Sequence, residues 1–261
     1  MTPGIRLSRD GHVATVALDN PGKLNAITLQ MWEDLARIVG ELSADDSLRC
    51  VVIRGAGEGA FAAGADIAEF ARVRDNREQG KLYHRKYVYG ALRAVADCRH
   101  PTVAMIRGAC AGGGLEIACQ CDLRISARSG RFGVPINRLG FAIAYDELAS
   151  LLPLAGKAVV LEILLEGRML SADEAYAKGL LTRVVADEEV EAEAYAAARR
   201  IAEGAPLVAR WHKQYVRRLM PPAIPLSESE LDENFAYFAT EDYRIGQRAF
   251  LEKKKPGFVG R

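Results

Sequence analysis

The chain has little net charge, no cysteine-rich framework and no long uninterrupted apolar run, and each absence removes a class of function. Its 35 Lys and Arg against 34 Asp and Glu leave a net charge of +1, which gives no basic footprint for nucleic acid and no field to draw the chain onto anionic membranes. No apolar run reaches the roughly 18 residues of a membrane span. The N-terminus lacks the basic-then-apolar pattern of a secretion signal, so a cytoplasmic, soluble protein is expected. The five cysteines are an odd number: Cys50, Cys98, Cys110, Cys119 and Cys121. Cys119 and Cys121 have no second pair and no nearby histidine, so they read as buried thiols in a reducing compartment rather than as zinc ligands, and no metal is expected.

A chain of 261 residues is long enough for one sizeable core with an appendage. Short apolar runs at 13–18 (VATVAL), 50–54 (CVVIR), 102–107 (TVAMIR), 123–126 and 180–185 read as strands. Helical spacing follows between them. Thr28 can cap a helix bearing Leu29, Trp32, Leu35, Ile38, Val39 and Leu42. Residues 81–98 carry Leu82, Val88, Leu92 and Val95, residues 66–70 start a shorter helix, and residues 145–165 form another. Ser171 with Glu174, and Ser227 with Glu230, have capping-box spacing. From 187 onward nearly everything reads as helix, broken at 220–225 (MPPAIP). The expectation is an α/β core over 1–200 with a helical C-terminal region over 201–261.

The 24 glycines concentrate where chemistry can sit. Segment 61–67 (FAAGADI) puts Gly64 and Ala65 just before a helix start, with Asp66 placed to cap it. Segment 108–116 (GACAGGGLE) does the same with Gly112, Gly113 and Gly114. Free N–H groups at such starts suit an anion or a developing oxyanion, and each preorganised donor is worth about 3–4 kcal/mol in a transition state. The plainer alternative is that the glycines only permit tight turns. Neither loop continues into the Lys-Ser/Thr of a nucleotide P-loop, and after Gly55 and Gly57 the dinucleotide fingerprint fails at Ala60. Glu116, one helical turn beyond Gly113, can face the same space as an acid/base, its pKa raised by burial. His12, His84, His100 and His212 are scattered and suggest no nucleophilic triad.

These segments together resemble the crotonase superfamily, the enoyl-CoA hydratase/isomerase family. The likeness runs through 20–25 (NPGKLN), FAAGADI, GACAGGGLE with Cys121-Asp122-Leu123, 132–135 (FGVP), Gly179-Leu180 and 252–258 (EKKKPGF), in the family's order. The resemblance implies a spiral of ββα units with a helical C-terminal region that builds trimers, often paired into hexamers. It implies an acyl-CoA thioester as substrate, with coenzyme A part of that substrate and no separate cofactor. The thioester oxygen would lie between the N–H groups of Ala65 and Gly113. Lys23, Leu24, Ala63, Asp66 and Ile67 would line the CoA path, Gly112 and Ile136 would also bind the substrate, and Lys255 and Phe258 would complete a pocket, on this or a neighbouring subunit.

One departure bears on the reaction. Family hydratases carry two glutamates; Glu116 matches the first, but Ile136 stands at the second, after Pro135. Asp146 and Glu147 in the following turn are candidates for a displaced carboxylate. The reading is therefore an acyl-CoA enzyme working through a thioester enolate, first as a hydratase or dehydratase. An isomerase, decarboxylase or hydrolase, or a non-catalytic CoA-binding member with a protein or RNA partner, stand as alternatives. The acyl pocket is expected to take its shape from 72–89 and from residues near Phe141.

Overall fold

The computed structural model describes residues 2–220, 227–233 and 235–257. Two strands open the chain, β1 (Gly4–Asp10) and β2 (Val13–Asp19), paired antiparallel around Gly11. Only the second was anticipated: β1 is mostly exposed and carries no apolar run to announce it. Next come α1 (Leu29–Ala44), β3 (Cys50–Gly55) and β4 (Ala60–Ala62). After a three-residue 3₁₀ turn at Ile67–Glu69, the chain forms α2 (Phe70–Val73) and α3 (Arg77–Leu82). A π-helical stretch, Tyr83–Val88, leads into α4 (Tyr89–Asp97), so the helix expected over 81–98 is longer and changes its winding midway.

The second turn of the spiral holds β5 (Thr102–Ile106), β6 (Ala109–Ala111), α5 (Gly113–Gln120), β7 (Leu123–Ala127) and β8 (Arg131–Gly133). It continues through α6 (Tyr145–Glu166), β9 (Leu170–Ser171), α7 (Ala172–Ala177) and β10 (Arg183–Val185). Four further helices follow: α8 (Val190–Glu203), α9 (Pro206–Leu219), α10 (Glu228–Glu233) and α11 (Glu241–Leu251).

The strands form a six-stranded sheet in the order β1-β2-β3-β5-β7-β10, parallel from β2 onward, and a four-stranded sheet in the order β4-β6-β8-β9. Both faces of the large sheet are covered, which explains why its strands read as continuous apolar runs. Along β3, Val51 and Ile53 enter the main core with α1 and α4, while Cys50 and Val52 turn to the other face, under Val190, Ala194, Ala197 and Ala198 of α8. The period of two in the strand meets small side chains at helical spacing. Thr28 caps α1 by accepting from the Met31 N–H, and Ser171 and Glu174 close the expected capping box.

Helix α6 is long and apolar enough to cross a membrane by length and composition. It is broken, however, at Gly156 (φ 72°), and its first turn carries Glu147 into the interior.

The small sheet fixes how closely the two Gly loops approach. A Cβ on Gly114 would stand 2.4 Å from the Ala62 carbonyl oxygen, which is backbone and cannot yield. Gly114→Ala is expected to cost about 1–3 kcal/mol through overpacking, read as a lower urea midpoint at unchanged m-value.

Candidate active site

Strands β4 and β6 run parallel and end together. Gly64 (φ 104°) and Gly112 (φ 47°) then turn through the left-handed region that glycine tolerates. Neighbouring bonds fix the residues that follow. The Ile27 N–H donates to the Gly64 carbonyl (2.7 Å) and the Asp66 N–H to the Ile27 carbonyl (2.8 Å), while the Gly112 N–H donates to the Gly133 carbonyl (2.9 Å). The N–H groups of Ala65 and Gly113 have no acceptor among the described residues. Both residues line one cavity of about 560 Å³. The two donors differ in kind. Gly113 is the first residue of α5 and has a helix dipole behind it, whereas Ala65 precedes a three-residue 3₁₀ turn, so its donor acts by orientation alone. Asp66 caps that turn by accepting from the Ala68 N–H, as the sequence suggested.

Glu116 reaches the same cavity from the first turn of α5 and is only 4% exposed. Burial, reinforced by the negative charge of Glu147, lifts its pKa well above the ordinary carboxylate range. Of the two candidates for a displaced second carboxylate, Glu147 lines the cavity. Asp146 does not, and borders a separate small recess. Glu147 is held at both oxygens: Oε1 bonds to His84 Nδ1, and Oε2 accepts the Ala144 N–H at 3.4 Å. Burial opposes its ionisation, but His84, Arg74 and the Ala144 N–H outweigh that penalty and hold its pKa below the usual value. His84 is pushed the other way from a charged imidazolium, chiefly by burial and also by Arg74, against the pull of Glu147. The site therefore favours the protonated form of Glu116 and the ionised form of Glu147, with His84 Nδ1 against Glu147 Oε1.

Ile136 lines the wall where a hydratase would carry its second glutamate, together with Lys23, Ala63, Asp66, Ile67 and Gly112. Lys23 Nζ donates to Asp66 Oδ2 at 2.7 Å, which ties the 20–25 loop to the 61–67 loop. Two of the expected pocket residues lie elsewhere. Leu24 sits at φ 49°, 56% exposed and off the cavity wall, because its carbonyl turns inward to accept the Ala63 N–H. Lys255 is exposed beyond the end of α11 and off the wall, and Phe258 lies outside the described residues. The C-terminal region reaches the cavity instead through Phe250 and Leu251.

The residues that local pattern did not reveal are Trp32, Phe70, Arg74, Tyr83 and His84, all on the cavity wall, which Phe141 also lines. Arg74, Tyr83 and His84 fall inside the stretch expected to shape the pocket, but no spacing connects His84 with a glutamate 63 positions away. The histidines form no nucleophilic triad among the described residues, but His84 lines the cavity beside Glu147. Cys119 and Cys121 are buried free thiols, their pKa values pushed up to about 12 mainly by burial.

Two unpaired backbone N–H groups facing a buried protonated carboxylate define a class of protein, one that grips a carbonyl oxygen while a proton moves at the neighbouring carbons. The comparisons with known proteins agree with this. The model of the enoyl-CoA hydratase/isomerase family matches residues 8–261. The short-chain-enoyl-CoA hydratase of Clostridium acetobutylicum is 32% identical, covering 98% of this chain and 97% of that protein. An enoyl-CoA hydratase/carnithine racemase structure from Magnetospirillum magneticum is 51% identical, with a TM-score of 0.82 over 98% of this chain and 96% of that one. Methylmalonyl-CoA decarboxylase complexed with 2S-carboxypropyl CoA superposes at a TM-score of 0.88 with 29% identity, covering 98% of each chain. The chain belongs to the enoyl-CoA hydratase/isomerase family and has the crotonase fold.

The raised pKa of Glu116 has a consequence for stability. In the unfolded chain its carboxyl ionises near its ordinary value of 4.5, whereas the folded chain keeps the proton to higher pH. Between those limits the folded state binds more protons, so this group's contribution to stability falls as pH rises. Glu116→Gln removes the loss. The melting temperature of Glu116→Gln relative to wild type is expected to rise from about pH 5 to about pH 8, and a pH-independent difference would contradict a buried neutral Glu116.

Proposed function

We propose that the protein is an enoyl-CoA hydratase in which Glu147 replaces the glutamate absent at Ile136. The observation that carries this reading is the opposite displacement of two buried carboxylates in one cavity, the pattern that separates an acid from a base. The thioester oxygen of an α,β-unsaturated acyl-CoA lies between the N–H groups of Ala65 and Gly113, which stabilise the negative charge that develops on it. Glu147 accepts a proton from a water molecule as the water oxygen bonds to Cβ. Glu116 delivers its proton to Cα and closes the addition. Dehydration is the same path reversed. Lys23, Ala63, Asp66 and Ile67 border the CoA portion, which comes with the substrate, and no step requires a resident cofactor or metal. Free thiols throughout the chain support a reducing, cytoplasmic setting.

Loss of conjugated thioester absorbance with crotonyl-CoA and longer enoyl-CoAs tests the assignment. Glu116→Gln and Glu147→Gln are each expected to lower kcat about 10²- to 10⁴-fold. Turnover unchanged in Glu116→Gln, or tight binding of CoA thioesters with no turnover, would overturn it. Solvent deuterium entering Cα without loss of the double bond would favour the isomerase reading. In the wild-type pH profile, kcat/KM is expected to fall on the acid side as Glu147 takes up a proton and on the alkaline side as Glu116 loses one, and Glu147→Gln should abolish the acid limb.

The oligomer is part of the same proposal. Helix α9 buries no residue within the chain and exposes Leu207, Trp211, Tyr215, Val216 and Leu219, an apolar stripe suited to a subunit contact. Sedimentation is expected to give three or six times the chain mass of 28.4 kDa. A monomer at micromolar concentration would contradict this role for the C-terminal helices.

A further inference from the structure

The hydration chemistry leaves two arginines of the cavity wall unused, Arg74 and Arg138, and of these Arg74 is the buried one. Arg74, at the end of α2, is 1% exposed and forms part of the cavity wall. Its guanidinium lies 4.3 Å from the ring centre of Phe70 and 4.5 Å from that of Phe141, with Tyr83 and Phe238 each at 5.5 Å. Aromatic faces attract a cation but supply no acceptor for its five N–H groups. Among the described residues the guanidinium makes one hydrogen bond, from Nη2 to Tyr237 Oη at 2.9 Å, while Nε is buried without a partner.

No carboxylate among the described residues lies within ion-pair distance of Arg74. Glu147 is the nearby acid whose ionisation Arg74 favours, but both its oxygens are already held by His84 and the Ala144 N–H. The other polar groups facing Arg74 are the phenols of Tyr83 and Tyr243 and the ring of His84, all uncharged here. A buried cation without a carboxylate is costly, and at the wall of a substrate cavity the missing anion can come from the substrate.

We infer that Arg74 is a specificity residue that binds a carboxylate at the far end of the acyl group, so that the preferred substrate is a CoA thioester of an unsaturated dicarboxylic acid. This rests on the acyl-CoA reading of the cavity. The placement agrees: Arg74, from the end of α2, lines the same cavity as the Ala65 and Gly113 donors and as Glu116, which enters it from α5. The aromatic rings around Arg74 exclude water and strengthen a charge-assisted bond there. Arg74 also ties down the C-terminal aromatic cluster, since Tyr243 Oη donates to its backbone carbonyl at 3.3 Å and its side chain meets Tyr237.

The test uses saturated thioesters, which bind without hydration, so it reads recognition apart from turnover. Succinyl-, glutaryl- and adipyl-CoA, their ω-methyl esters and butyryl-CoA are titrated calorimetrically into the wild-type protein. At least one free acid is expected to bind 30-fold or more tightly than its own methyl ester, and Arg74→Met should shrink that ratio to threefold or less, with Arg74→Lys intermediate. Equal binding of acid and ester by the wild type overturns the inference without recourse to any variant, and leaves Arg74 as a structural latch. A preference that survives in Arg74→Met also overturns it. Should Arg74→Met fail to fold by circular dichroism, the acid-to-ester ratio in wild type and Arg74→Lys decides: the inference fails unless the lysine variant lowers it. Failure of every thioester to bind, acids and esters alike, overturns the acyl-CoA reading itself and the inference with it.

Discussion

The crossing of two backbone loops is the constraint on which the site depends. Strands β4 and β6 approach so closely that Gly114 faces the Ala62 carbonyl and Gly108 the Gly59 carbonyl at separations no Cβ could share. That contact sets the distance between the residues that follow, Ala65 and Gly113, and leaves their N–H groups directed at one cavity. The donors need no side chain and do not reorganise during reaction, which is why such a pair is efficient at stabilising charge. The small sheet thus orients the two donors, while the large sheet has both faces covered by the core.

Around this fixed pair the side chains divide by environment. Glu116 stands on a buried helix in an apolar setting and keeps its proton; Glu147 stands at a helix start between a histidine and a backbone donor, and gives its proton up. Ile136 at the expected second position does not leave the site with a single carboxylate, because α6 carries Glu147 into the same cavity from eleven residues further along. The replacement brings its own support in His84, and it brings Arg74 within electrostatic range. This part of the cavity is therefore more strongly polar than its aromatic lining suggests.

The glycine loops, the strands of the large sheet, the caps at Thr28, Asp66 and Ser171, and the place of Glu116 one turn beyond Gly113 were all legible along the chain. Each is a local matter: a turn, a cap or a helical turn is decided by residues a few positions apart, and glycine's freedom or a strand's alternation is a property of the segment itself. The edge strand β1 escaped because its exposed side chains carry no such signal. Leu24 lies off the cavity wall, where its carbonyl accepts the Ala63 N–H.

What only the tertiary structure decided are the partnerships across long separations. His84 meets Glu147 over 63 positions, and Arg74 meets Tyr237 over 163. A sequence shows that such residues exist, but the choice between Asp146 and Glu147, adjacent on one helix, depends on which side of α6 faces the cavity once it packs on α5. Their ionisation follows from burial and neighbouring charge, quantities that arise only when distant segments exclude water together. Sequence alone therefore determined the two glycine loops with their free N–H groups, built from backbone and local geometry; folding decided the buried carboxylate pair and the arginine near it, side chains whose chemistry is set by what surrounds them.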